Sequence, residues 1–131
     1  MAWRSWHYYF GLAGLLVFIL TGQYMARVLD MPAMPDAQRL LYRSAHIYLL
    51  LLSVANVCAG YFMARDAETS GLLQGLCSGL LLVSVPMMTL SFFVESTPDG
   101  IERPINLWTL YGVFLAGTLL ALQELWRRFK G

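Results

Sequence analysis

Residues 69–94 read TSGLLQGLCSGLLLVSVPMMTLSFFV, and this stretch contains no Asp, Glu, Lys or Arg. The same is true of residues 5–26, 44–64 and 104–123. Because an α-helix rises about 1.5 Å per residue, about 20 residues cross a hydrocarbon core of about 30 Å. All four stretches reach that length. A backbone in lipid must satisfy its own hydrogen bonds, so the stretches predict membrane-spanning helices.

The prediction is therefore an all-α integral membrane protein, a single antiparallel four-helix bundle with short connecting loops over residues 1–131. The helices are expected at about 6–28, 40–63, 70–94 and 105–127. Pro32 and Pro35 break the first connection, and Pro98-Asp99-Gly100 is a turn signal in the third. Connections this short make consecutive helices antiparallel neighbours.

The composition of the whole chain agrees with a membrane location. Of the 131 residues, 58% are hydrophobic and only 13% are charged, about half the charged share of a soluble domain. The formal net charge is +1, so no basic field is present to hold nucleic acid. The composition excludes a disordered tail and an ordinary soluble enzyme, and it leaves the lipid bilayer as the expected surrounding.

Small residues indicate where helices come close together. Gly71, Gly75 and Gly79 repeat every four residues, so they line one face of the third helix and form what we call the glycine ridge. Such a ridge allows a neighbouring backbone to approach closely. We expect it to pack helices within the bundle, where Gly75→Leu would lower stability, and contact between chains is the alternative.

Polar side chains gather at the end of the bundle where the second helix begins, which we call the mouth. Arg39, Arg43 and His46 are spaced i, i+4 and i+7, so they share a helical face. Polar groups in lipid are costly and normally face the bundle interior or water. The candidate ligand-binding or polar cluster comprises Arg39, Tyr42, Arg43, His46, Gln23, Tyr24, Glu95, Glu102 and Arg103.

This polar cluster allows three interpretations. In the structural one, which we favour, the arginines reach headgroups or pair with Glu95 and Glu102, and His46 stays neutral in a hydrogen bond. We expect the salt bridge to join Arg43 and Glu95. In the functional one, the arginines hold an anionic or amphiphilic ligand beside His46 or Tyr42. In the third, the cluster contacts a partner subunit.

The two histidines of the chain raise the question of a haem. His7 begins the first helix and His46 lies near the opposite membrane face, so their depths differ by about 15–20 Å. One haem iron cannot take both as axial ligands. Two histidines and two cysteines on separate elements form no zinc pattern. We therefore predict no cofactor and no metal, and haem on a single histidine is the alternative.

Three functions compete for this architecture. We favour a non-enzymatic subunit, assembly factor or scaffold of a larger membrane complex, because no catalytic set and no water-facing domain is readable. The first alternative is a membrane-embedded enzyme or a binding protein for a lipophilic or anionic amphiphilic ligand at Arg39, Arg43 and His46. The second is a small haem-linked or quinone-linked electron carrier. Partners would be other membrane subunits or a second copy of the chain.

The basic residues suggest an orientation in the membrane. One face carries Arg4, Arg65, Arg127, Arg128 and Lys130, and the other carries Arg27, Arg39, Arg43 and Arg103. Cytoplasmic segments carry the excess of Lys and Arg. We therefore expect both termini in the cytoplasm, and the bacterial inner membrane as the location if the source is prokaryotic.

The first testable prediction concerns this topology. Reporter tags fused to the two ends should report the same side of the membrane, because four spans return the chain to the side where it began. A tag inserted near Asp99 should report the opposite side. A C-terminal tag that is accessible only from outside intact cells would contradict the orientation.

Overall fold

A computed structural model of the chain describes residues 2–65, 71–96 and 102–130. These ranges hold the helices α1 (Ala2–Arg27), α2 (Asp36–Arg65), α3 (Leu72–Val94) and α4 (Pro104–Lys130). All four are long and apolar enough to cross a membrane. The predicted fold class is confirmed: the chain is an all-α integral membrane protein with four spans.

The helices extend beyond the apolar stretches. α2 begins at Asp36 rather than near residue 40, and its first turn is closed by a hydrogen bond of 3.0 Å from the Arg39 N–H to the Pro35 carbonyl. α4 continues to Lys130 rather than ending near residue 127. A charged residue marks the edge of the hydrocarbon layer, but it does not end a helix that continues into the headgroup region.

The helices pack in the order of the chain. α1 packs on α2, α2 on α3 and α3 on α4, and α1 also contacts α3. The α1–α2 and α3–α4 contacts are the most extensive. The buried centre consists of Leu49, Leu52, Val85 and Met88. A second buried cluster, nearer the mouth, consists of Tyr42, Ala45 and Phe92.

Glycines of α1 let its backbone approach α2 closely. A Cβ atom at Gly11 would lie 2.6 Å from Cγ2 and 2.9 Å from the backbone nitrogen of Val57. A Cβ atom at Gly14 would collide with the Ser53 hydroxyl and lie 2.8 Å from Cγ1 of Val85. Real Cβ atoms do not come this close to their neighbours, so only glycine fits at these two positions without displacing α2.

The glycine ridge of α3 lies elsewhere. Apart from the adjacent residues and backbone of α3 itself, no described atom comes within 4 Å of a Cβ built on Gly71, Gly75 or Gly79, so the expectation that the ridge joins two helices of the bundle does not hold. The buried face of α3 includes Cys77, Leu81, Val85 and Met88. At about 100° per residue, that face lies about a third of a turn away from the ridge, which therefore points out of the bundle.

The α1–α2 contact yields a second prediction. Gly14→Leu should lower the stability of the detergent-solubilised protein by about 1–3 kcal/mol, because the added side chain forces α1 away from Ser53 and Val85. Thermal unfolding followed by circular dichroism measures the loss. Gly117→Leu is the matched control, since Gly117 of α4 has no described neighbour within 4 Å of its Cβ position. Equal melting temperatures for the two variants would contradict the packing.

Candidate ligand site at the mouth of the bundle

Glu95 connects the end of α3 to the beginning of α4. Its Oε1 atom accepts a hydrogen bond of 2.6 Å from the Ile105 N–H, and its Oε2 atom accepts one of 3.0 Å from the Asn106 N–H. The Ser91 hydroxyl donates a third, of 2.6 Å, to Oε2. These backbone groups belong to the first turn of α4, where N–H donors have no partner within the helix. Glu95 therefore acts as the cap of α4.

A distant residue provides this cap for a chemical reason. Arg103 precedes Pro104 and holds the position from which a Ser, Asp or Asn would normally cap the helix. A guanidinium group has no acceptor atom, so Arg103 cannot accept hydrogen bonds from the helix N–H groups. A buried carboxylate also interacts favourably with the positive end of the helix dipole. The Glu95 carboxylate supplies the acceptor atoms that the Arg103 side chain lacks.

The predicted Arg43–Glu95 salt bridge is not formed. Arg43 is exposed, and its side chain has no ion pair within the described residues. The Glu95 carboxylate is occupied by the N–H groups of α4. Glu102 is also exposed. The sequence predicts these side chains at one end of the bundle, but it does not show that a helix terminus competes for the carboxylate.

Arg39 pairs within its own helix turn. Its Nη2 atom lies 2.8 Å from Oδ1 of Asp36 and donates to the Met34 carbonyl at 3.2 Å. The Asp36 side chain is almost fully exposed, so water screens this pair and its contribution to stability is small. Arg39 and Arg43 therefore do not converge on a shared ligand position.

The aromatic residues of the predicted cluster fill the mouth with apolar contacts. The Tyr42 ring meets Phe92 edge to face, with ring centroids 5.3 Å apart. Tyr24 meets Phe92 and Phe93 in the same manner, at 6.4 and 6.0 Å. Gln23 lies at the surface. These residues close the space between α1, α2 and α3 rather than lining an open polar cavity.

His46 lies against α1. Its Nδ1 atom is 3.0 Å from the Thr21 hydroxyl oxygen, which is itself 2.9 Å from the Val17 carbonyl and 3.0 Å from the Phe18 carbonyl. The one hydroxyl proton goes to a carbonyl, so we infer that the oxygen accepts from a protonated Nδ1. The ring stacks on Phe18 at a centroid distance of 4.1 Å. His46 thus serves the α1–α2 contact.

A second polar contact, which the sequence did not reveal, lies deeper in the bundle. Nδ1 of the fully buried His7 is 2.9 Å from Oδ1 of Asn56. The Asn56 amide nitrogen donates to the Leu52 carbonyl at 3.0 Å and to the Leu81 carbonyl at 2.8 Å. One asparagine therefore links α1, α2 and α3. The signal available in the sequence was an amide inside a membrane span, since such groups need a partner inside the protein.

The two histidine rings lie at levels far apart along the axis of α1. His7 is itself part of α1, whereas His46 bonds to Thr21 of that helix. The rise of about 1.5 Å per residue separates these levels by about 20 Å, so the two rings cannot ligate one iron. Within the described part of the chain, no group of three His, Cys, Asp or Glu side chains could hold a metal ion.

Arg103 connects the beginning of α4 to α2. Its Nη1 atom donates a hydrogen bond of 2.8 Å to the Ser44 hydroxyl, joining the start of α4 to α2. Its Nε and Nη2 atoms are buried without a hydrogen-bond partner among the described residues. Burial lowers the pKa of Arg103, whereas the nearby Glu95 and Tyr48 raise it. The guanidinium keeps its charge at neutral pH.

The residues that surround Arg103 therefore differ from those of the predicted cluster. Ser44 and Tyr48 of α2 lie beside Arg103, in place of Arg39, Arg43 and His46. Neither residue was singled out from the sequence, although their spacing of four places them on one helical face. Comparison with known proteins adds no assignment, because no family model, no curated protein and no solved structure matches the chain.

The capping role of Glu95 yields a third prediction. Glu95→Gln should lower the free energy of unfolding by about 1–2 kcal/mol, because the amide nitrogen cannot accept from the N–H groups of α4. Arg43→Gln should change it by less than about 0.5 kcal/mol, as for other exposed sites. The double variant should show the sum of the two effects. A coupling energy above about 1 kcal/mol in this double-mutant cycle would show that Arg43 and Glu95 interact after all.

Proposed function

We propose that this protein is a small non-enzymatic subunit, assembly factor or scaffold of a larger membrane complex. The observation that carries the proposal is the glycine ridge of α3, which has no described neighbour within 4 Å. We further propose that the ridge receives a transmembrane helix of a different subunit. The bacterial inner membrane and cytoplasmic termini remain part of this proposal, supported by the distribution of basic residues.

The energetics of glycine support a partner at this surface. Glycine in a helix interior costs about 1 kcal/mol relative to alanine. Gly11 and Gly14 offset such a cost through the close approach of α1 and α2. Gly75 and Gly79 gain no comparable contact from the described residues. A helix from another protein, packed against the ridge at short range, would supply it.

The side chains around the ridge are suited to contact with an apolar helix. Leu72, Leu76 and Leu80 are exposed and flank the glycines on α3. Small residues bordered by larger apolar side chains are the kind of surface that small-residue motifs present to a partner helix. A different subunit is favoured over a second copy, because self-association alone would add no activity to a chain in which we identify no catalytic set.

The fourth prediction tests this surface directly. A photo-crosslinking amino acid at Leu76, beside the ridge, should give a discrete protein adduct in native membranes. The same amino acid at Leu115, an exposed position on α4, is the control and should give lipid adducts only. Adding Gly75→Leu should abolish the Leu76 adduct without lowering the melting temperature of the purified chain, because no described atom of another helix lies within 4 Å of a Cβ built at Gly75.

The masses of the adducts distinguish the outcomes. A product whose excess mass differs from that of this chain supports a different subunit as the partner. A product with twice the mass of the chain would identify self-association and contradict the proposed partner. Lipid adducts alone at Leu76 would contradict the interaction surface as a whole.

A further inference from the structure

The guanidinium of Arg103 presents a complete binding edge inside the mouth. Nε and Nη2 direct their hydrogens to the same side of the planar group, away from Nη1. Nη1 is engaged by the Ser44 hydroxyl, whereas both atoms of the opposite edge are buried and have no hydrogen-bond partner among the described residues. This edge matches two oxygen atoms of one anion, the geometry of bidentate phosphate and carboxylate recognition.

The nearby acidic group does not fill this role. The Glu95 carboxylate accepts hydrogen bonds from Ser91, Ile105 and Asn106, and it forms no salt bridge with Arg103 in the described part of the chain. Asp36 is paired with Arg39. A buried charged donor without a partner is strongly unfavourable, so an edge that has no partner among the described residues is suited to an anion from outside the bundle.

We propose that Arg103 binds a phosphate group through its Nε and Nη2 atoms. Arg103 lies between Val94, where α3 ends, and Pro104, where α4 begins, and this is the level of the lipid headgroups. Phosphate is the anionic group common to that layer. Ser44 fixes the plane of the guanidinium through Nη1. Because Nε and Nη2 are buried, the groups that cover this edge must move aside when the phosphate binds. The site is independent of the glycine ridge and of the function proposed above.

The fifth prediction is a thermal-unfolding experiment in a non-ionic detergent and a phosphate-free buffer. Dioleoylphosphatidylglycerol should raise the melting temperature of the wild-type protein by several degrees, since a ligand that binds only the folded state stabilises it. Dioleoylglycerol has the same acyl chains but no phosphate, and it should give no shift. Inorganic phosphate is tested separately, and a shift equal to that of the lipid would identify the free anion as the source.

Three variants assign the effect to Arg103. Arg103→Gln should abolish the shift caused by phosphatidylglycerol. Arg43→Gln removes the same charge from an exposed position at the same end, and it should retain the shift. Arg103→Lys keeps the charge but cannot offer two parallel donors, so it should retain less than half of the shift. It also serves as the decisive variant if Arg103→Gln does not fold.

Several results would overturn the proposal. They are the absence of a shift in the wild-type protein with both phosphate probes, an equal shift with dioleoylglycerol, and a full shift in both Arg103 variants. An equal loss of the shift in Arg43→Gln and Arg103→Gln would show a general charge effect rather than a site. None of these results bears on the crosslinking at Leu76, so this proposal and the partner surface can fail separately.

Discussion

The Glu95 carboxylate binds the N–H groups in the first turn of α4, and the arrangement of the arginines at the mouth depends on that interaction. Its two oxygen atoms accept hydrogen bonds from the Ile105 and Asn106 N–H groups, so the negative charge near Arg103 is already in use. Arg43 is exposed, and Arg103 is left with a hydroxyl in place of a carboxylate. At the mouth, the N–H groups that begin α4 have hydrogen-bond acceptors, whereas Nε and Nη2 of Arg103 have none among the described residues.

The four-helix architecture could be predicted from the sequence because it depends on the length of the uncharged intervals along the chain. Intervals without charge must be as long as the bilayer is thick, and the four intervals found in the chain correspond to α1 to α4. The helix ends were placed less accurately. Arg39 and Arg43 lie inside α2, where the helix continues past the hydrocarbon layer, and a count of charges cannot detect that extension.

The packing and the site depend on information that spacing alone does not contain. Gly71, Gly75 and Gly79 form the most regular pattern, yet the close contact uses Gly11 and Gly14, because Ser53 and Val57 of α2 face them. Likewise, the sequence predicts that the arginines gather at the mouth, but it does not predict their partners. Backbone N–H groups compete with cations for the same carboxylate. The spacing of side chains in the sequence does not show where those N–H groups will lie.

The Arg103–Ser44 and Glu95–α4 contacts have a consequence for biogenesis. Both need residues that are synthesised later: Ser44 bonds to Arg103, which follows α3, and Glu95 bonds to Ile105 and Asn106 in the first turn of α4. While the ribosome is still making α4, the first three helices can already assemble through Asn56. The mouth is therefore completed last, and a chain that ends before Arg103 would leave Glu95 without the N–H groups that it caps and Ser44 of α2 without its hydrogen bond from Arg103.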